Sequence, residues 1–268
     1  MALLENIPQT LYKYRVWDEL YKEVQYQKRI LTENEIYLAS PDQFNDPFDT
    51  ALLYQYKDED LTPDNIFKKL MEVGKNKWPE LSEIELHEKC FKQQYSGHFE
   101  NGNYWKSEYV KFKSDNNKSF GILSLTSKRD NLLMWSHYAN SHQGFCVGLD
   151  QTAICNLING TIGTMIYQNE FPKVGLFDDK VGQLVRILLT KSIEWQYEDE
   201  CRIIKLHSAR KIYKFPDSAL LEVILGYNME SALKQTIIEL TKTKFPRAKI
   251  FESVMSNSKF QLDLIPIF

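Results

Sequence analysis

The segment Trp195-Gln196-Tyr197-Glu198-Asp199-Glu200-Cys201-Arg202-Ile203-Ile204 concentrates the acidic chemistry of this chain. Read as a strand, its period of two sets Glu198, Glu200, Arg202 and Ile204 on one face and Trp195, Tyr197, Asp199, Cys201 and Ile203 on the other. Two carboxylates about 7 Å apart, at an effective dielectric near 20, repel by about 2 kcal/mol, so a half-buried pair calls for nearby cations or a chemical task. Arg202 and Lys191 are the compensating cations. Such a Glu-x-Glu pair can work as acid and base or stabilise a developing positive charge. The structural alternative is a solvated edge strand carrying a surface ion pair.

Three other segments add polar groups. In Met134-Trp135-Ser136-His137-Tyr138, followed by His142 and Gly144, a helical reading sets Trp135, Tyr138 and His142 on one side and turns His137 elsewhere, which an aromatic core cluster also explains. In Phe44-Asn45-Asp46-Pro47-Phe48-Asp49, Asn45 and Asp46 can bond backbone groups while Pro47 fixes a turn, and the two phenylalanines would hold that turn against the body. In Phe120-Gly121-Ile122-Leu123-Ser124-Leu125-Thr126-Ser127, a strand ends in hydroxyls. His137, His142 and Cys146 have a loosely metal-like spacing, but a helix-to-strand turn separates them and no fourth ligand is evident, so no metal is expected. Neither a Gly-x-Ser-x-Gly elbow, a Walker A sequence nor a Gly-x-Gly-x-x-Gly fingerprint occurs, which argues against serine hydrolases, classical kinases, GTPases and dinucleotide dehydrogenases.

The elements that must position these groups follow from periodicity. Strands are expected at Leu11–Arg15, Ile36–Ala39, 120–127 and Gly144–Asp150; in the last, Phe145, Val147 and Leu149 share a face while Cys146 and Gly148 leave room on the other. Helices are expected at Asp18–Arg29 and Asn131–Ser141, and another, capped by Asp178 and Asp179, carries the stripe Val181, Leu184, Val185, Leu188 and Leu189, which continues to Lys191 and Trp195. A polar, lysine-rich stretch over 62–117, with helical patches at Asn65–Val73 and Ser82–Tyr95 and a break at Gly97–Asn103, reads as a helical insertion docked by Trp78, Tyr104, Trp105, Tyr109 and Phe112. Strand Leu220–Leu225, helix Glu230–Thr243 and strand Ala248–Phe251 form a βαβ-like unit, closed by a strand over Gln261–Phe268. The expected architecture is α+β: a split, largely antiparallel sheet core with flanking helices, in one domain spanning 1–268.

With 268 residues, 43% of them hydrophobic, the chain can bury a large core without disulfides or structural metal. Lys and Arg total 33 against 36 for Asp and Glu, so no net positive field draws it to nucleic acid or to a membrane. Cys90, Cys146, Cys155 and Cys201 form no C-x-x-C pair and suit a reducing compartment. Met1–Gln9 lacks a signal-peptide pattern and no apolar run spans a bilayer, so a cytoplasmic location is expected.

Together, Leu11-Tyr12-Lys13-Tyr14-Arg15, Phe44-Asn45-Asp46-Pro47-Phe48, Met134-Trp135-Ser136-His137-Tyr138, Gly144-Phe145-Cys146-Val147-Gly148 and Lys191 with Trp195–Arg202 resemble the bacterial family catalogued as domain of unknown function 2971. That resemblance brings no activity with it. A further resemblance is to ADP-ribosyltransferases of the arginine, serine-threonine-serine, Glu-x-Glu type: Arg15 ends an early strand, Ser124-Leu125-Thr126-Ser127 a middle one, and Glu198-Asp199-Glu200 enters a later one. It implies that Arg15 contacts NAD, that Ser124 and Thr126 shape the nicotinamide pocket, that Glu200 supports the reacting ribose, and that Glu198 orients the acceptor. Tyr14, Asn45, Asp46, Trp135, His137, Tyr138, Lys191, Trp195, Tyr197 and Arg202 would complete the substrate-binding surface. The expected activity is cleavage of NAD, as substrate, with transfer of ADP-ribose to a protein or nucleic-acid acceptor, as a toxin or defence effector. Two alternatives stand beside it: a ligand- or nucleotide-binding module without turnover, and a metal-dependent nuclease using Asp46, His137, Glu198 and Glu200.

Overall fold

Alternating apolar residues form the strands, and apolar residues recurring every third or fourth position form the helices. The computed structural model describes residues 7–17, 25–50, 55–96 and 102–268. The chain begins with β1 (Thr10–Arg15), α1 (Gln25–Thr32), β2 (Glu35–Tyr37), β3 (Gln55–Tyr56), α2 (Pro63–Lys77), α3 (Glu83–Tyr95) and α4 (Gly102–Ser119). It continues with β4 (Phe120–Thr126), α5 (Leu132–Tyr138), β5 (Phe145–Asp150), α6 (Gln151–Ile158), β6 (Thr161–Thr164), β7 (Ile166–Gln168), β8 (Lys173–Val174), α7 (Lys180–Leu188) and β9 (Thr190–Ser192). It ends with β10 (Glu200–Leu206), β11 (Ile212–Lys214), β12 (Leu220–Leu225), α8 (Ser231–Lys244), β13 (Lys249–Met255) and β14 (Leu262–Ile267). Two compact units result, one of Met1–Phe44, Lys118–Tyr167 and Ile193–Phe268, the other of Asn45–Asn117 and Gln168–Ser192.

The first unit is α+β, built on an eight-stranded sheet in the order β14-β13-β12-β5-β1-β4-β10-β6. Each junction is antiparallel except β12–β13, which α8 links as the expected parallel crossover. Side chains alternate as half-buried strands require. Leu11, Leu125, Val147, Ile203 and Val223 face a core closed by Ile30 of α1, Ile154 of α6 and Ile237 of α8. On the opposite face Tyr12, Tyr14, Cys146 and Ile224 meet Met134 and Trp135 of α5. The gap left by Gly148 is filled by the ring of Tyr12, since a Cβ there would lie 2.9 Å from that ring and 3.1 Å from Glu222.

One junction differs. β1 and β4 share a single registered pair, Tyr12↔Thr126, whereas β1 pairs with β5 along its whole length and β4 with β10 along its whole length. Beyond that pair, toward Arg15 on β1 and Ser124 on β4, no further residues of the two strands are registered, so the sheet opens there, with Lys13 and Arg15 leaving β1 on the Leu11 face and Ser124 leaving β4 on the Arg202 face. Gly144 sets the edge of this region: a Cβ on it would sit 2.1 Å from the Arg15 carbonyl oxygen and 3.0 Å from the Ala139 backbone. Backbone cannot retreat as a flexible side chain can, so Gly144→Ala is expected to cost at least about 1–3 kcal/mol by denaturant unfolding. An unchanged midpoint would show that β1 and β5 can shift apart at no cost.

In the second unit α2 and α3 form a helical hairpin. Thr62 caps α2 with Pro63 at the first helical position, and Ser82 with Glu85 makes a reciprocal capping box on α3. Gly74 permits their close approach, because a Cβ there would meet Leu86 at 2.8 Å. A short parallel pair, β3 with β8, belongs to the same unit.

Two expectations are corrected. The helix read over Asn131–Ser141 stops at Tyr138, because Asn140, Ser141 and His142 all take left-handed backbone angles (φ 47°, 51° and 69°) that turn the chain into β5. The helix read through Lys191 and Trp195 stops at Leu188; Lys191 lies in β9, and Trp195 in a 3-10 helix over Ile193–Glu198. The 18–24 half of the helix read at Asp18–Arg29, most of the break at Gly97–Asn103, and the side chains of Tyr104, Trp105, Tyr109 and Phe112 lie outside the described residues, as does Met1–Asn6.

Candidate functional site

The acidic segment does not form the continuous strand that its alternation suggests. Glu198 ends the 3-10 helix, Asp199 is left-handed at φ 44°, and β10 begins only at Glu200. The turn is held by the hydroxyl end of β4. Thr126 donates its hydroxyl to the Glu198 carbonyl, Ser127 donates to the Asp199 carboxylate, and the Ser127 N–H reaches the Asp199 carbonyl at 3.3 Å. Asn131, which caps α5 by accepting from Met134 N–H at 3.0 Å, also donates to the Tyr197 carbonyl at 3.0 Å. Thr126 therefore has its hydroxyl committed to the backbone of the Glu-x-Glu segment.

Both carboxylates point inward, with Glu198 only 3% and Glu200 5% exposed. From Glu200 onward the alternation holds, so Glu200 and Arg202 share a face and form a two-pronged ion pair, Nε to Oε1 at 2.7 Å and Nη2 to Oε2 at 3.1 Å. Arg202 is fully buried, and its guanidinium also lies over the Phe44 ring, 4.9 Å from the centroid. The Glu200 N–H donates to the Tyr167 hydroxyl at 2.8 Å, and burial pushes that phenol above its ordinary range. Glu198 accepts from the Tyr138 hydroxyl at 2.5 Å. Beside it, the exposed His137 places Nδ1 2.9 Å from the Tyr197 hydroxyl, and the Tyr197 ring tilts against Trp195 at 6.1 Å.

The β1 side supplies cations. Burial lowers the Arg15 guanidinium to a pKa of about 10, still cationic at neutral pH, and its Nε is buried without a hydrogen-bond partner. The Ser124 hydroxyl is likewise buried and unpartnered. Between them comes a residue that the sequence reading passed over: Lys13 crosses the opening to donate from Nζ to the Ser124 carbonyl at 2.5 Å. Burial, and then the neighbouring Arg15, hold its amine well below the ordinary lysine range, while Glu200 and Glu198 act in the other direction. The only sequence signal for Lys13 was a lysine at the centre of a strand between two tyrosines, Tyr12-Lys13-Tyr14.

Other expected site residues are placed differently. Trp135 is fully buried, donates to the Arg129 carbonyl at 3.2 Å and meets Tyr14 edge-on at 5.0 Å; Tyr14 in turn donates to the Lys128 carbonyl at 2.9 Å. Both belong to the core under α5. Asn45, Asp46 and Lys191 belong to the second unit. There Asp46 accepts from Phe48 N–H at 2.9 Å, Asn45 is exposed, and Lys191 lies 3.6 Å from Asp49, with both side chains nearly excluded from solvent. Phe48 is 59% exposed against Phe171, so it does not press the loop inward as expected. Among the described residues, no three His, Cys, Asp or Glu side chains come together to hold a metal ion. No helix among them is long and apolar enough to cross a membrane.

Residues 134–203 match the model of a family described as Protein of unknown function (DUF2971). Over this stretch the chain is similar to that family. No curated protein and no solved structure matches the chain. The DUF2971 segment opens on α5 and closes within β10, so it contains His137, Tyr138, Tyr197, Glu198, Glu200 and Arg202, whereas Lys13, Arg15 and Ser124 lie outside it.

Proposed function

We propose that this protein is an ADP-ribosyltransferase-like enzyme that cleaves NAD and passes ADP-ribose to a protein or nucleic-acid acceptor. The observation that carries this reading is the adjacency of β1, β4 and β10, which bear Arg15, Ser124 and Glu200 on three neighbouring strands at the point where β1 and β4 part. Departure of nicotinamide with the bonding electrons leaves oxocarbenium-like charge on the ribose. A buried carboxylate stabilises that charge, and a guanidinium on the far side meets the pyrophosphate. Glu200 is suited to the first task, because Arg202 fixes its position without blocking every lone pair. Arg15 is suited to the second. Glu198, linked through Tyr138 to the exposed His137 and Tyr197, faces the side from which an acceptor would enter. A cytoplasmic toxin or defence role belongs with this activity.

A binding module without turnover is the second reading, favoured by the engagement of both Glu200 oxygens with Arg202. Incubating the purified protein with NAD and cell extract separates the two. Released nicotinamide, with added mass on an acceptor, supports the enzyme. Saturable NAD binding without nicotinamide supports the module, and neither result would remove both.

A further inference from the structure

Helix α3 carries two apolar faces, where a surface helix needs only one. Leu86 and Cys90 form the inner face; both are buried, and Leu86 lies against Gly74 of α2. At about 100° per residue, Ile84, Phe91 and Tyr95 fall within about 40° of one another, on the side turned away from Leu86 and Cys90. These three are 75%, 52% and 67% exposed, and the Phe91 and Tyr95 rings already meet at 4.7 Å. Large apolar side chains lined up on one exposed helix face mark an interaction surface.

The charges beside this face specify what covers it. The first half of α3 is acidic, with Glu83, Glu85 and Glu88, and the second half basic, with Lys89 and Lys92. Glu85 is engaged by the backbone and hydroxyl of Ser82, and Lys89 lies over the Trp78 ring, 4.0 Å from its centroid. Glu88 and Lys92 flank the apolar face at about 40° and 80° from Ile84. Among the described residues these two form no ion pair, although a Glu four positions before a Lys is well placed for one. Laying a second α3 antiparallel across a two-fold axis between Lys89 and Cys90 brings Ile84 against the partner's Tyr95, with the Phe91 rings between. The same axis sets Lys92 beside the partner's Glu88, and the symmetry repeats each contact. A parallel arrangement would set Glu88 against Glu88 and Lys92 against Lys92, which like charges oppose.

We propose that the Ile84-Phe91-Tyr95 face of α3 is a self-association surface, through which two copies of this chain pair antiparallel, with Glu88 and Lys92 setting the direction. A helix of this length is about 20 Å long, so the paired area is at the low end for a specific interface and the dimer is expected to dissociate in the micromolar range. Nothing in this pairing depends on NAD chemistry.

The test is sedimentation velocity of the whole protein from about 1 to 300 μM, a range that brackets a micromolar equilibrium. The parent is expected to move from the mass of one chain to that of two as concentration rises. Phe91→Asp is expected to stay a single chain throughout with an unchanged Tm, because the side chain it replaces is exposed. Glu88→Lys and Lys92→Glu are each expected to weaken pairing at least tenfold, whereas an equimolar mixture of the two should associate at least as tightly as the parent, since every mixed contact again joins opposite charges. A parent of single-chain mass at every concentration, parent-like pairing in Phe91→Asp, or a mixture that fails to associate would each overturn the proposal. So would a monomeric parent that sediments with phosphatidylserine vesicles and loses this in Phe91→Asp, a result that assigns the face to a lipid surface.

Discussion

Arg202→Met is expected to destabilise the protein by about 3–5 kcal/mol, the usual cost of breaking a buried ion pair from one side. Arg202 has no exposed surface, Glu200 is 5% exposed, and the pair is joined at 2.7 and 3.1 Å. Methionine fills comparable volume, so the loss would come from the abandoned carboxylate more than from a cavity. For an unfolding unit of this size, the shift in Tm is on the order of 10 °C. Replacing both partners, Glu200→Gln with Arg202→Met, is expected to recover most of the loss, because well-packed neutral groups can stand in for a buried pair. A single variant within about 1 kcal/mol of the parent by denaturant unfolding would mean that water reaches Glu200 and that the pair is not a closed structural element.

The pair was legible in the sequence because Glu200 and Arg202 are two apart in a run that continues as Ile203-Ile204, and the alternation survives intact from Glu200 onward. Glu198 was misplaced for a local reason. Asp199 adopts a left-handed conformation, which Asp tolerates better than most residues, and one such residue ends the period-two pattern without altering composition. Lys191 and Trp195 were assigned to the preceding helix because apolar spacing ran on past Leu188, although the chain there changes to β9 and a 3-10 helix. Strands β1, β4, β5, β12 and β14 were recovered because one face of each is buried in a contiguous core, which the alternation reports directly. Lys13 could not be recognised that way. Its burial depends on the parting of β1 from β4, a tertiary event, and on an acceptor 111 residues away. For Trp135 and Tyr14, an aromatic ring with a polar tip reads alike whether it lines a ligand site or packs beneath a helix.

Removing the charge but not the shape of Glu200 tests the chemistry itself. Glu200→Gln is expected to reduce kcat/KM for nicotinamide release by about 10²–10³, the usual effect of deleting one preorganised electrostatic group aimed at developing charge. Substrate affinity should change far less, since the carboxylate acts on charge that appears only as the glycosidic bond breaks. The variant also removes the carboxylate that Arg202 meets at 2.7 and 3.1 Å, so rates must be compared well below the unfolding transition and per folded molecule. Glu198→Gln supplies the contrast. Its amide oxygen can still accept from Tyr138, so the turn keeps its hydrogen bond, and transfer to an acceptor should fall more than release of nicotinamide does. If folded Glu200→Gln released nicotinamide at the parental rate while Tm dropped, Glu200 would be only the partner of Arg202. The reacting ribose would then have to lean on Glu198, the remaining buried acid of the segment, and the same two variants would show it by exchanging their effects.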